Sequence, residues 1–160
     1  MSQGPTVSIV GHQLVACWDK SCDIFQNGAW EHLQDTVERR RYHSAVAMQD
    51  GVLLIGGKEG QAEGKGSTEF IPVDGSGASP GPFTVRHGRN HCTMKISEEV
   101  IVVTGGYYAR DLVTEYQLSD GRETALTSLT EGRGYHACGV YKDADGQQVS
   151  GALPALVSNN

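Results

Sequence analysis

The apolar positions of this chain fall in short runs rather than long stripes. Val52-Leu53-Leu54-Ile55 is closed by Gly56-Gly57, and Val100-Ile101-Val102-Val103 passes through Thr104 into Gly105-Gly106. Both runs are short, rich in branched residues and bounded by glycine or charged turns, which predicts strands. Only Gln49-Asp50 separates residues 44–48 from 51–55, so the Asp50-Gly51 corner predicts a tight antiparallel hairpin. A polar loop at 58–67 leads to a third strand over 68–73. Asn27-Gly28 predicts a further hairpin, running from Phe25 back through Ala29-Trp30. Over 30–41, Trp30, Leu33 and Val37 are spaced i, i+3, i+7, which also suits an amphipathic helix. A linker is preferred there, because the repeat frame places a junction in that stretch.

The repeat frame rests on three columns. Arg41-Tyr42-His43-Ser44-Ala45 is followed 48 residues later by Arg89-Asn90-His91-Cys92-Thr93, and Arg133-Gly134-Tyr135-His136-Ala137 carries its histidine 45 residues after His91. The glycine pairs lie 49 residues apart. Thr68-Glu69-Phe70 and Thr114-Glu115-Tyr116 lie 46 apart, with Asp23-Ile24-Phe25 another 45 earlier. One period shared by independent columns marks a repeat architecture, and about four strands joined up and down per period is the unit of a propeller blade. The units expected are residues 1–40, 41–88, 89–132 and 133–149, with a non-repeat tail at 150–160. Gln148-Val149-Ser150 is encodable as CAG-GTG-AGT, which holds a splice-donor motif. That tail is therefore expected to be intron read-through, and alignment of transcript to genome tests this.

Composition narrows the function classes. The 160 residues carry 13 Lys plus Arg against 19 Asp plus Glu, a formal charge of −6, which argues against a nucleic-acid or anionic-membrane surface. No apolar run approaches the ~20 residues of a spanning helix. The opening Met1-Ser2-Gln3-Gly4-Pro5 lacks a basic stretch leading into an apolar block, so no leader and a reducing cytoplasmic setting are expected. The four cysteines are too few for a disulfide scaffold and are expected to be small buried thiols, although Cys17 and Cys22 can bridge if they lie on adjacent strands. No Ser-His-Asp elbow, phosphate loop or HExxH is present. Cys17 and Cys22 with His12 and His32 lack the short spacings of a zinc site. The recurrence of His43, His91 and His136 at one repeat position points to contacts between units rather than to a metal. The chain is expected to be no enzyme and to need no cofactor.

These residues resemble the Kelch repeat family: the Arg-x-x-His opening (Arg40 or Arg41 with His43, Arg133 with His136), the apolar strand ending in paired glycine, and the aromatic of the third strand. The resemblance spans roughly residues 12 to 149. It departs from the pattern where Ala16-Cys17 stand for the glycine pair, where only Trp30 represents the tryptophan after the aromatic, and where the last copy lacks its glycine pair and third strand. It implies an all-β, partial (open) Kelch-type β-propeller of about three to four blades. At ~47 residues per blade the chain holds about 3.4, whereas rings typically close with 4–8 blades. Open edges then invite self-association. The resemblance implies a protein–protein interaction module, including substrate recognition for a ubiquitin-ligase adaptor. An actin-associated structural role and a fragment of a galactose-oxidase-like copper enzyme are the alternatives. In such propellers the loops between second and third strands, here 58–67 and 107–111, crowd one mouth. Candidate protein-binding residues are Trp18, Arg41, Arg89, Tyr107, Tyr108 and Arg110, types enriched at interface hot spots, and a protein or an acidic peptide is the expected partner.

Overall fold

A computed structural model describes residues 5–57, 66–142 and 148–151, with side chains through residue 139. The described residues are all-β, without an α-helix. Their thirteen strands form antiparallel sheets in which sequence neighbours pair. Sheet 1 comprises β1 (Thr6–Val10), β2 (Gln13–Gln26) and β3 (Ala29–Arg40). Sheet 2 runs β4 (Ser44–Ala47), β5 (Gly51–Ile55), β6 (Gly66–Pro72), β7 (Ser79–Val85). Sheet 3 runs β8 (Cys92–Lys95), β9 (Val100–Thr104), β10 (Val113–Gln117), β11 (Glu123–Ala125). A hairpin of β12 (Gly139–Lys142) and β13 (Gln148–Gly151) follows as sheet 4.

Residues 30–41 are neither helix nor linker. β3 pairs with β2, from Gln26 opposite Ala29 to Asp19 opposite Arg40, with register shifts near Ser21 and Cys22. β2 itself doubles back. Five extended residues would span ~16 Å, yet the Cα atoms of Cys17 and Cys22 lie 4.1 Å apart. The chain reverses between them, with Asp19 left-handed at φ 51°. Sheet 1 therefore has four arms: 6–10, 13–17, 22–26 and 29–40. At the Asn27-Gly28 corner both residues have positive φ, 55° and 82°, the twist a two-residue hairpin requires.

The cysteines are bridged rather than free thiols. Cys17 pairs with Cys22 across the reversal, and Cys92 of β8 pairs with Cys138, which leads into β12. No free cysteine remains among the described residues.

Successive sheets stack face to face over apolar side chains. Val10, Val15, Cys17, Cys22 and Ile24 of sheet 1 meet Val52, Leu54 and Ile71 of sheet 2. The opposite face of sheet 2, with Val46, Leu53, Ile55, Phe83 and Val85, meets Ile101, Val103 and Tyr116 of sheet 3. β5 is buried along its length because both faces are covered. The first strands of successive sheets are neighbours: β1 contacts β4, β4 contacts β8, and β8 contacts β12. The contact recurs at equivalent residues. Ser44 Oγ lies 2.6 Å from Thr93 Oγ1 between sheets 2 and 3, and Cys92 bonds Cys138 between sheets 3 and 4. In each case the residue after the repeat histidine meets the second residue after the next one.

Glycine is required where sheets meet. A Cβ on Gly56 (φ 64°) would collide with the Gly88 carbonyl, and one on Gly57 with the backbone of His43. No helix among the described residues is long and apolar enough to cross a membrane.

Candidate binding surface

The segment before each first strand delivers one residue of unusual conformation. Tyr42, Asn90 and Tyr135, each immediately before a repeat histidine, are left-handed with φ of 65°, 60° and 56°. That region is costly for side chains other than Asn, Asp or Gly, and such residues concentrate at functional sites. A backbone ladder holds them: the Asn90 N–H donates to the Tyr42 carbonyl at 2.9 Å, and the Tyr135 N–H to the Asn90 carbonyl at 2.9 Å. None of the three is among the candidate residues named from the sequence. Their signal was present in the column preceding each histidine, but a tyrosine there does not advertise its backbone.

The three repeats converge on a cavity of about 220 Å³ lined by Thr6, Tyr42, His43, Asn90, His91, Tyr135 and His136. The histidines contact neighbouring sheets. His43 Nε2 lies 2.7 Å from Thr6 Oγ1, and His136 Nε2 lies 2.8 Å from Thr104 Oγ1. His91 meets Ile55 where His136 meets Thr104, and its ring nitrogens have no well-formed hydrogen bond. Burial, reinforced by Arg40, pushes the His43 pKa down to about 4. Burial, reinforced by the His87 and His43 rings, pushes that of His91 down to about 3. Burial also lowers His136, with Arg133 adding to it. The cavity wall is therefore uncharged at neutral pH. Among the described residues, no group of three His, Cys, Asp or Glu is placed to hold a metal ion.

Charge lies on the rim. The Arg89 guanidinium sits 4.5 Å from the Tyr107 ring centre and 5.9 Å from that of Tyr42, so two aromatic faces hold it. Tyr107 and Tyr108 pack edge to face at 5.0 Å and are about half exposed. Arg110 and Tyr107 line a second cavity of about 180 Å³, whose walls share Asn90 and Tyr135 with the first. Arg89, Tyr107, Tyr108 and Arg110 thus form one cluster. Arg41 Nε lies 3.3 Å from Oδ1 of Asp19, the residue after Trp18 in the reversal of β2. Arg39 Nε lies 3.5 Å from the same oxygen, so two guanidinium groups share one carboxylate. Of the loop at 58–67, residues 58–65 lie outside the described residues.

No protein-family model and no curated protein matches the chain.

Proposed function

We propose that the chain is a partial Kelch-type β-propeller and a non-enzymatic protein-interaction module that takes acidic peptide segments at the rim formed by Arg89, Tyr107, Tyr108 and Arg110. One observation carries the reading: a guanidinium stacked on two tyrosine rings beside two adjoining cavities, the first walled by neutral histidines and the second lined by Tyr107 and Arg110. Arg89 is preorganised by its stacking, so little side-chain entropy is lost when it forks onto a carboxylate. Tyr107 and Tyr108 supply exposed aromatic area of the kind that anchors interfaces. The net charge of −6 does not oppose this, because local charge governs recognition. Radial order is supported by the neighbouring first strands and by contacts that recur at equivalent positions. As to compartment, a reducing cytoplasm would keep four thiols, so the two bridges favour an oxidising setting instead.

A fluorescent Asp/Glu-rich peptide, with neutral and Lys-rich peptides of equal length as controls, tests the proposal by polarisation. The acidic peptide is expected to bind best and to weaken as salt rises. Arg89→Ala and Tyr107→Ala are each expected to weaken binding about tenfold, the effect of losing ~1.4 kcal/mol of contact. Equal binding of all three peptides, or unchanged binding by both variants, would overturn it.

A further inference from the structure

The two disulfides sit in different surroundings. Cys17 and Cys22 are 1% and 0% exposed and belong to the apolar face that sheet 1 turns to sheet 2. Cys92 and Cys138 are only half-buried. A thiolate exchanges with a disulfide sulfur that it can reach, so the second bridge is the one open to reduction.

The place of that bridge ties it to the candidate site. Cys92 follows His91, and Cys138 stands two residues after His136, so the bridge joins the two segments that supply Asn90, His91, Tyr135 and His136 to the first cavity. The later segment has few other anchors. None of residues 126–139 is buried. Among the described residues after Leu129, Cys138 alone packs on the buried group Met94, Val102 and Val113. The remaining anchors are polar. The Arg133 N–H donates to the Arg110 carbonyl at 2.6 Å, the Arg133 carbonyl accepts from the Gly106 N–H at 2.8 Å, and His136 reaches Thr104. Backbone bonds with little apolar cover open readily. The same segment shapes the rim. Gly132 lies so close to Arg110 that a Cβ on it would stand 2.8 Å from that of Arg110, and Tyr135 walls both cavities.

We infer that Cys92–Cys138 is a reducible clasp on the peptide-binding rim. Closed, it holds residues 130–139 against sheet 3 and keeps both cavities walled; opened by a dithiol, it releases that segment and weakens binding. This rests on the acidic-peptide reading proposed above. The reductant is a small dithiol or a protein carrying a reactive cysteine pair. One of its thiolates attacks one sulfur of the bridge, forming a mixed disulfide and freeing the other cysteine, which takes up a proton. Its second thiol then displaces the remaining cysteine, so the bridge gains two electrons and two protons and the reductant leaves as a disulfide.

Stepwise reduction of the whole chain with dithiothreitol tests this. At each step one portion is alkylated and mapped by mass spectrometry, and another is scored by polarisation with the fluorescent Asp/Glu-rich peptide. Cys92 and Cys138 are expected to be alkylated first, with Cys17 and Cys22 still joined. Affinity is expected to fall about tenfold over that step, as for a docked segment populated about a tenth of the time, and to return on reoxidation. Cys92→Ser/Cys138→Ser is expected to bind as weakly as the reduced chain and to ignore dithiothreitol, while Cys17→Ser/Cys22→Ser keeps the response. The wild-type titration stands whether or not either variant folds. Reduction of Cys17–Cys22 first or in step with the other bridge, or unchanged affinity with Cys92–Cys138 open, would overturn the inference. Hydrogen exchange at the Arg133 and Tyr135 amides separates its failure from that of the peptide reading. Should the oxidised chain bind no acidic peptide, the peptide reading fails alone if these amides exchange faster on reduction, and the clasp fails with it if they do not.

Discussion

The junction between sheets 1 and 2 and that between sheets 2 and 3 answer one requirement with different chemistry. In both, the carbonyl of the first glycine of the pair is turned toward the preceding sheet and needs a donor. At the first junction Arg40 supplies it. Its Nη1 donates to the Gly56 carbonyl at 3.0 Å and to the Ser67 carbonyl at 2.7 Å, while Nε pairs with Glu69 at 2.9 Å. Glu69 is fully buried and also accepts from the Val37 and Glu38 amides. At the second junction His87 Nδ1 donates to the Gly105 carbonyl at 2.6 Å, and Nε2 meets Thr114 Oγ1 at 3.1 Å. A ring that donates through Nδ1 and stays neutral must accept at Nε2. Burial holds His87 below its ordinary pKa, against the opposing pull of the Gly105 carbonyl. The same geometric demand is thus met once by a buried ion pair and once by a neutral imidazole. The ion pair makes more bonds, and it fails harder when one partner is removed.

Arg40→Met is accordingly expected to have the largest effect, about 3–5 kcal/mol in urea unfolding, because it strands the buried Glu69 carboxylate. A loss under 1 kcal/mol would mean that water reaches the pair. The contacts between first strands offer a second contrast. Replacing Cys92 and Cys138 by Ser removes a link closing 46 residues and is expected to cost about 2–4 kcal/mol. Ser44→Ala, which breaks the equivalent bond to Thr93, is expected to cost about 1 kcal/mol. Equal costs would deny that the covalent link does more than the hydrogen bond. His87→Leu should fall between, at about 1–3 kcal/mol, for a buried carbonyl left unsatisfied.

Acid sharpens the same comparison. His43, His87, His91 and His136 all have folded pKa values below the ordinary 6.5. The unfolded chain binds protons that the folded chain refuses, so stability falls as pH drops below about 6.5 and goes on falling toward 4 and 3 for His43 and His91. The steepest slope per histidine is about 1.4 kcal/mol per pH unit. His87 and His91 both serve the second junction, so its amides should lose exchange protection before those of the first between pH 6.5 and 5. Equal loss at both would remove the distinction.

How far these features were legible in the sequence depended on which physical signal each left. The inner strands were plain because burial on both faces makes a continuous apolar run, and glycine pairs mark where a side chain would collide. β3 was obscured because register shifts break its alternation, leaving Thr36 and Arg40 as the buried positions. The helical spacing of Trp30, Leu33 and Val37 followed from that break. Arg40, Glu69 and His87 look like surface residues until their partners are placed, because hydrophobicity cannot reveal a paired charge. Cys92 and Cys138 lie about one period apart, a spacing that becomes informative only once first strands are known to be neighbours. Among the candidate residues, Arg89 stacks on Tyr107, which packs on Tyr108 and shares a cavity with Arg110, whereas Arg41 reaches Asp19.

The most direct test of like-built sheets meeting at equivalent positions is to give the second junction the link that the third already has. In the Ser44→Cys/Thr93→Cys double variant, peptide mapping without reductant is expected to find residues 44 and 93 joined, with both native bridges intact and a higher melting temperature. Sulfurs at 44 and 93 that stay free, or that pair instead with Cys92 or Cys138, would contradict the repeated geometry on which the account stands.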